Sequence, residues 1–540
     1  MHIVASSQLH PHYQPTRQAD ILRITHPMDP ASLTLTVLGS LHICLRYETP
    51  SIYPRPGCNN LGLVRDDIFE IVPVVEGVWL KTEVQLNLVK RLFDSGSLDP
   101  ALLAHYGDVM QRLRVKISEA ITGLEAIDKR SAYAASIPQL GRLVYLKRHL
   151  QDVVSDLEDW QRRFDPSWYL ITQIAGPVVD KQVELGLSKQ KHEPSAARLL
   201  EMREAAERVS SQEKATTDSV FKSPNLIQER QHIPGTNSYV SRYVEGGRHI
   251  LLDSTSYPSR STPTTRKAHV RDLARLLHHV APMTFSLLKC EGVIEVSTDQ
   301  DTQFQFIFEI PQGLHSPTTL RALLTEKPQY SLSRRVQLSK QLARSVMFVH
   351  TTGFVHKGIR PETIVAFHEN QDIGPSFLIG FERIRRAEAQ TDLLGDLEWE
   401  RNLYRHPVRQ GIWSEETFVM QHDIYSLGVC LLEIALWQSF VTREENELTT
   451  PWVDLGIQEA ISDKDARRGG FAAKRKLVTL AKDRLPSLVG DRYTDIVLAC
   501  LCCLDEGEGN VFSNVKDNDG IVVGVRYIEN ILVKLEELLI

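Results

Sequence analysis

Apolar residues recur at intervals of three and four positions through the first third of the chain. This spacing puts the apolar side chains on one face of a helix, with charged residues on the other face. Short breaks rich in Ser and Pro separate the helical stretches. The pattern predicts an α-helical bundle over 61–184, after an N-terminal segment, 1–60, of no definite pattern. The stretches with helical spacing are 75–93, 100–127 and 140–164.

The pattern changes after residues 185–230, a polar and charged segment that we interpret as a linker. Strand-like alternation then predominates over 231–315, and helical spacing predominates over 316–540. We therefore expect a multidomain protein in which the helical bundle is followed by an α+β region of two lobes. The elements predicted within these lobes are a β-hairpin over 238–252, a helix over 270–280, a strand over 303–310 and a helix over 333–351.

Length and composition narrow the class of protein. The 540 residues suffice for about two to four domains, and 42% hydrophobic with 24% charged residues is typical of an ordinary globular chain. A net charge of −6 without a basic block argues against nucleic-acid binding. No apolar run reaches the roughly 18 residues that cross a membrane, and the polar start does not resemble a signal peptide. We expect a cytoplasmic protein.

Cysteine usage fits a reducing compartment, because the seven cysteines are irregularly spaced and odd in number. Cys500, Cys502 and Cys503 lie close together, which raises the possibility of a metal site. Their stretch is an apolar helical run without a nearby His, so we interpret them as core residues and expect no metal.

The second lobe begins with a motif that carries chemistry in other proteins. His356–Ile364, with the sequence HKGIRPETI, resembles the catalytic loop of protein kinases, H-R-D-L-K-P-E-N. In this frame Gly358 replaces the Asp that orients the substrate hydroxyl, and Thr363 replaces the Asn that holds magnesium. Gly380 replaces the metal-binding Asp of D-F-G. Magnesium prefers oxygen ligands, so we expect no metal site and no catalytic residue at these positions.

Four residues of the same region are expected to support the fold. Asp423 begins a helix that resembles the long helix of the kinase C-lobe, where the matching carboxylate caps backbone amides of the catalytic loop. His356 would brace that loop, and Phe381 would pack between the lobes. Arg360 keeps the positive charge of the catalytic-loop Lys, either for an anion or as a solvated surface charge.

The groups that bind ATP phosphates in kinases are also missing from the sequence. No Lys occurs in Ile250–Tyr257, where the phosphate-binding Lys is expected, and its place falls on Thr255. No Glu occurs between Glu245 and Glu291 to pair with such a Lys. Gly246 and Gly247 are the only paired glycines there, and a plain turn explains them. The region 232–540 thus resembles a protein kinase domain, specifically a pseudokinase.

Two segments of the N-terminal region resemble a second family. Residues 75–86, VEGVWLKTEVQL, and 156–171, DLEDWQRRFDPSWYLI, are similar to segments of fungal proteins that join a HeLo-type (prion-inhibition and propagation) domain to a degenerate kinase-like domain. The resemblance implies a helical bundle linked to heterokaryon incompatibility and regulated cell death. In some HeLo-type proteins the bundle acts on membranes.

These observations lead to one main hypothesis and two alternatives. The main hypothesis is a non-catalytic signalling protein, not an enzyme, that binds protein partners and self-associates, with no required cofactor and with ATP binding left open. One alternative is a divergent active kinase, in which Glu382 is the nearby carboxylate that could reach a metal. The other is a cell-death effector whose bundle acts on membranes directly.

Overall fold

A computed structural model describes residues 100–116 except 101, isolated residues between 148 and 155, and most of 220–538. The gaps in the last range are 245, 257–262, 298–301, 353, 370–371, 382–384, 387–397, 412–417, 444–448, 508–509 and 513–520. The chain divides into two units, Met1–Arg162 and Arg163–Ile540.

In the first unit, residues 102–116 form a helix. Its apolar side chains recur at the spacing of one helical face, and these side chains are buried: Leu102, Tyr106, Met110 and Leu113. The helix falls within the stretch predicted at 100–127. The rest of the predicted bundle, the segment 1–60 and most of the linker at 185–230 lie outside the described residues.

The second unit begins with a five-stranded antiparallel sheet in the order β1-β2-β3-β5-β4. Side chains alternate between its faces, and one face forms a cluster of Tyr243, Ile250, Leu252, Ile294 and Ile307. The strands are β1, Ile227–His232; β2, Ser238–Tyr243; β3, His249–Ser256; β4, Cys290–Ser297; and β5, Thr302–Glu309.

The predicted hairpin is confirmed, because β2 and β3 pair antiparallel around a turn that contains Gly246 and Gly247. Both glycines have positive φ, +83° and +62°, so the pair serves the turn. The predicted strand over 303–310 is β5. The predicted helix over 270–280 begins earlier, as α1, Pro263–His278, and it packs against β4. A short helix, α2, Pro282–Phe285, follows it.

The second lobe is mainly helical. Three of its helices begin at side chains that accept hydrogen bonds from first-turn amides: Thr319, Ser331 and Asp465. The helices are α3, Leu320–Glu326; α4, Leu332–Thr351; α5, Trp399–Asn402; α6, Met420–Leu436; α7, Gln458–Ile461; α8, Ala466–Val489; α9, Asp491–Leu501; α10, Ile521–Tyr527; and α11, Val533–Glu536.

Helix α6 forms the centre of this lobe. Nearly every residue in it is buried, and α4, α8 and α9 pack around it. Gly428 allows the closest approach, since a Cβ there would lie 2.7 Å from Cβ of Cys500 on α9. A helix that is apolar on all sides is stable only inside such a core. Cys500 and Cys503 are buried in the same core, as the sequence predicts, whereas Cys502 is partly exposed.

The remaining strands of the described residues form three small sheets. A three-stranded sheet has the order β6-β8-β9, and two further pairs are β7 with β10 and β11 with β12. Within the described part of the chain, no helix combines the length and the apolar character needed to cross a membrane. The short strands are β6, His315–Thr319; β7, Phe354–Val355; β8, Ile364–Glu369; β9, Asp372–Leu378; β10, Arg385–Arg386; β11, Val441–Arg443; and β12, Thr449–Pro451.

Candidate functional site

The loop that follows α4 is held by one buried carboxylate. Asp423, in the first turn of α6, accepts hydrogen bonds from the backbone amides of His356 (2.8 Å) and Lys357 (3.0 Å). His350 Nε2 lies 3.0 Å from the same carboxylate. Burial alone would raise the pKa of Asp423, but the hydrogen bond and charge of His350 outweigh it and lower the pKa. The carboxylate therefore stays ionised and fixes the loop.

The loop contains a strained residue that this carboxylate supports. Lys357 has a φ of +62°, which is unusual for a residue with a side chain. Its amide hydrogen bond to Asp423 holds it in this conformation. Strain of this kind persists only where the surroundings impose it, and it is common at functional sites.

His356 is a neutral structural group in this loop. Its Nδ1 accepts a hydrogen bond from the Gly358 amide, and its Nε2 donates to the Ile379 carbonyl at 3.0 Å. These two bonds together require the neutral imidazole with a proton on Nε2. Burial lowers the pKa of His356 to about 4, which agrees with a neutral ring at pH 7. The ring thus connects the loop to the end of β9.

The two positions expected to lack metal ligands lie against each other. A Cβ on Gly380 would lie only 2.9 Å from Cβ of Thr363, and the φ of Gly380 is +81°. The Thr363 hydroxyl donates to the Gly358 carbonyl at 2.9 Å and accepts from the Arg360 amide. The space that an aspartate side chain at 380 would need is therefore filled by Thr363.

The residue of β3 that faces this position is Asp253, not Thr255. Asp253 Oδ2 accepts a hydrogen bond from the Gly380 amide at 2.9 Å, and Oδ1 accepts one from the Ser238 hydroxyl at 2.8 Å. Asp253 is only 2% exposed. Thr255 is fully buried and donates to the Phe304 carbonyl within the sheet. The sequence placed the missing lysine at Thr255, whereas the residue of β3 that lies beside Gly380 is an acid two residues earlier on the same face.

Phe381 lies where the two lobes meet. Its ring centroid is 6.0 Å from that of Phe308 on β5 and 5.2 Å from that of His356. Only 1% of Phe381 is exposed. Its aromatic contacts and the hydrogen bond from Gly380 to Asp253 join the same two lobes at adjacent residues.

A network of hydrogen bonds around Arg321 contacts the loop through Glu362. Arg321 at the start of α3 donates from Nε to Glu362 and from Nη1 to Glu433, both at 2.9 Å, and from Nη2 to the Tyr404 hydroxyl at 2.6 Å. Tyr404 in turn donates to Glu433. Burial raises the pKa of Glu433. Burial acts in the same direction on Glu362, but the charge of Arg321 outweighs it and lowers that pKa.

Arg360 belongs to the same part of the loop. Its Nε lies 3.6 Å from Glu362, and 18% of its side chain is exposed. The side chain thus lies beside a carboxylate of its own chain and is mostly shielded from solvent. Among the described residues, no group of three or more His, Cys, Asp or Glu side chains is arranged to hold a metal ion. Glu382 lies outside the described residues.

The five-stranded sheet, the helical lobe and the loop between them define a protein kinase-like region. No protein family model matches the chain. A protein of Dictyostelium discoideum, described as a probable serine/threonine-protein kinase kinase, is 20% identical over 257 residues. The match covers 45% of this chain and 50% of that protein, so the chain spans about half of its relative's length.

The similarity corrects one prediction. The sequence motifs led to the expectation that the chain is not an enzyme, and the relative's description points instead to a kinase. The expectation rests on the residues that are missing from the kinase motifs. Asp253 belongs to none of these motifs, and its place beside Gly380 arises only when the two lobes come together.

Proposed function

We propose that this chain is a divergent protein kinase whose cleft works through Asp253 in place of the usual phosphate-binding lysine. The observation that carries the proposal is the hydrogen bond from the Gly380 amide to the Asp253 carboxylate, at the junction of the two lobes. The similarity to a probable serine/threonine-protein kinase kinase supports a role in signalling by phosphoryl transfer.

An acid at this position changes how a nucleotide can bind. A carboxylate repels the phosphates of ATP, whereas a lysine attracts them. A divalent cation between the two reverses this effect, and magnesium is commonly held by one or two carboxylates together with substrate phosphates. Asp253 offers oxygen atoms of the type that magnesium binds, and one of them would exchange its present hydrogen bond, from Gly380 or from Ser238, for the ion. The magnesium ion would supply charge neutralisation on the phosphates, and Asp253 would hold it at the cleft.

Glu382 is the second carboxylate in this proposal. It follows Gly380 by two residues in the sequence, and it is the acid that the divergent-kinase hypothesis names. A second carboxylate would favour a bound cation more than one alone does.

The test is a thermal-shift titration of the full chain with ATP, with and without magnesium. A ligand at a hundredfold excess over Kd stabilises the folded state by about 2.7 kcal/mol. We expect stabilisation by ATP only when magnesium is present. The Asp253→Asn variant removes the charge and keeps the side-chain shape, so ATP should then stabilise the protein without magnesium as well. Asp454→Asn, at a half-exposed site far along the sequence, is the matched control.

Turnover is measured separately, as transfer of the γ-phosphate to protein substrates and to the chain itself. We expect transfer that requires magnesium and that falls at least tenfold in Asp253→Asn and in Glu382→Ala. Absence of both magnesium-dependent ATP binding and transfer would reject the proposal.

The N-terminal region suggests a further, separate function. The resemblance of 75–86 and 156–171 to HeLo-type proteins favours a helical bundle that acts in fungal incompatibility or regulated cell death under control of the kinase-like region. Protein partners and self-association belong to this proposal. Dye release from liposomes by the full chain, with and without ATP and magnesium, tests the membrane-acting version. Intact liposomes under both conditions would exclude it.

A further inference from the structure

The outer edge of the five-stranded sheet is covered by a segment of the same chain. Residues Val220–Lys222 run beside β4, parallel to it. The Lys222 amide donates to the Val293 carbonyl, and the Val293 amide donates to the Val220 carbonyl, both at 2.8 Å. We call Val220–Lys222 the strap.

The strand beside the strap, β4, has a glycine where the strap approaches it most closely. A Cβ on Gly292 would lie 2.8 Å from the backbone oxygen of Val220 and 2.7 Å from Cγ of Lys222. Real Cβ atoms essentially never approach so closely, and the backbone oxygen cannot move away without loss of the pairing. A glycine in a strand often marks such a close approach of another backbone.

The middle residue of the strap contacts both the sheet and α1. The ring centroid of Phe221 lies 6.3 Å from that of Phe304 on β5. Lys267 Nζ on α1 lies 4.8 Å from the centre of the Phe221 ring, and it also pairs with Glu295 on β4 at 2.5 Å. Phe221 and Glu295 therefore hold one lysine of α1 from two sides.

The strap also lies at one end of a chain of contacts that leads to the cleft. Phe304, against which Phe221 packs, pairs with Thr255 on β3, and its carbonyl accepts the Thr255 hydroxyl at 3.3 Å. Asp253 lies two residues away on the same face of β3. From there the hydrogen bond to Gly380 crosses to the other lobe.

We propose that the strap is a regulatory clamp: when seated, it fixes α1 on the sheet and stabilises the contact between Asp253 and Gly380, and its release loosens that contact. In the sequence, the strap comes first among the described residues of the kinase-like region. Events in the preceding chain can therefore act on the cleft through three residues. This inference does not depend on phosphoryl transfer.

Hydrogen exchange followed by mass spectrometry on the full chain tests the clamp. Gly292→Ala should displace the strap, because the new methyl group collides with the Val220 oxygen. We expect the peptide that contains Val293 to exchange about tenfold faster, since one exposed hydrogen bond is worth about 1.4 kcal/mol and that energy is a factor of ten. The peptide that contains Gly380 should also exchange faster.

Gly235→Ala is the matched control for this variant. Gly235 lies in the turn between β1 and β2, has a φ of +77°, and would have no atom within 4 Å of an added Cβ. The Gly235→Ala variant introduces backbone strain next to the same sheet but no steric collision. We expect no faster exchange at Val293 or Gly380.

A second variant leaves the sheet backbone unchanged. Phe221→Ala removes the ring from Phe304 and Lys267, whereas Phe221→Tyr keeps a ring in place. We expect Phe221→Ala to raise exchange at both peptides and Phe221→Tyr to restore wild-type rates. Unchanged exchange at the Val293 peptide in both Gly292→Ala and Phe221→Ala would overturn the clamp. Faster exchange there with an unchanged Gly380 peptide would overturn its coupling to the cleft.

Discussion

Asp253 on β3 accepts a hydrogen bond from the backbone amide of Gly380, 2.9 Å away, and so joins the first lobe to the second. The same carboxylate accepts the hydroxyl of Ser238, so each of its oxygens is engaged. A buried carboxyl group of this kind stabilises the fold only while its partners remain in place. The contact therefore links the stability of the protein to the geometry of the cleft.

We expect Asp253→Ala to lower the free energy of unfolding by about 2 kcal/mol, because both hydrogen bonds to the carboxyl group are lost and their two donors, the Gly380 amide and the Ser238 hydroxyl, are left buried. Urea denaturation of the full chain measures the change. Asp454→Ala, whose partner Arg484 is 3.5 Å away and half-exposed, should change the same quantity by less than about 0.5 kcal/mol. Equal effects of the two variants would contradict the importance of the contact.

The collision between Thr363 and position 380 gives a second prediction. Gly380→Ala should be destabilising through both the positive φ and the contact with Thr363. Thr363→Ser removes the Cγ2 methyl group, which is the nearest atom to an added Cβ at 380, and keeps the hydroxyl that bonds Gly358 and Arg360. We expect the double variant to be more stable than Gly380→Ala alone, as measured by a double-mutant cycle.

The control for that cycle is Gly411→Ala. Gly411 has a φ of +94° and no atom within 4 Å of an added Cβ, so its variant isolates the cost of the backbone conformation. Its stability should not respond to Thr363→Ser. If Thr363→Ser fails to improve Gly380→Ala, the steric account of the two positions is wrong.

The network around Arg321 gives a third prediction. Arg321→Met leaves Glu433, which is fully buried, without its charge partner, and we expect a loss of roughly 3–5 kcal/mol in the free energy of unfolding. Arg321→Lys should also be destabilising, because an ammonium group cannot reproduce the planar set of donors that reaches Glu362, Glu433 and Tyr404. Chemical denaturation compares these variants.

Two further variants complete that test. Adding Glu433→Gln to Arg321→Met should recover part of the stability, since the unpaired charge is then removed. Arg468→Ala breaks an ion pair with Asp463 in which the arginine side chain is 71% exposed, so it should lower the stability far less than Arg321→Met does. Additive effects of Arg321→Met and Glu433→Gln would show that the two residues act independently.

Acid sensitivity follows from three buried histidines. Burial is the main cause that lowers the pKa of His356 to about 4, that of His422 to about 3 and that of His406 to about 2. Because the folded-state pKa lies below the unfolded value of about 6.5, unfolding takes up protons as the pH falls below 6.5. Stability is therefore fully present above pH 6.5 and decreases below it, by about 1.4 kcal/mol per pH unit for each histidine.

We expect the free energy of unfolding to decrease steeply from pH 6.5 to pH 5, measured by urea denaturation at several pH values. His356→Gln keeps one donor and one acceptor but does not titrate, so the slope should fall by about one third in this range. His315→Gln, at an exposed position of β6, is the control for a His-to-Gln substitution outside the three buried positions. A slope that is the same in all three proteins would contradict the assignment.

Local sequence patterns predicted the hairpin of β2 and β3, the strand β5 and the helix α4 because each is specified by nearby residues. The helix α1 begins at Pro263, seven residues before the predicted start, because its first turns are polar and lack an apolar spacing. The position of Asp253 could not be predicted in this way. Asp253 and Thr255 lie on the same face of one strand, and only the approach of the second lobe distinguishes them.

The same distinction between local patterns and long-range contacts applies to the loop. The frame from His356 to Thr363 is visible in the sequence because its spacing is short and fixed. The hydrogen bonds from Arg321 to Glu362 and Glu433 span 41 and 112 positions, so spacing cannot reveal them. The paired strap at Val220–Lys222 gives no local signal either, although Gly292 beneath it is a hint that a neighbouring backbone approaches closely.

The strap has a consequence for the behaviour of the protein in concentrated solution. A sheet edge with free amides and carbonyls recruits strands from other molecules and leads to aggregation. The strap occupies the β4 edge, and at the opposite edge β1 presents exposed charged residues, Glu229 and Arg230. Displacing Val220–Lys222 would therefore open one edge of the sheet to intermolecular pairing, and protein lacking a seated strap should form oligomers as its concentration rises.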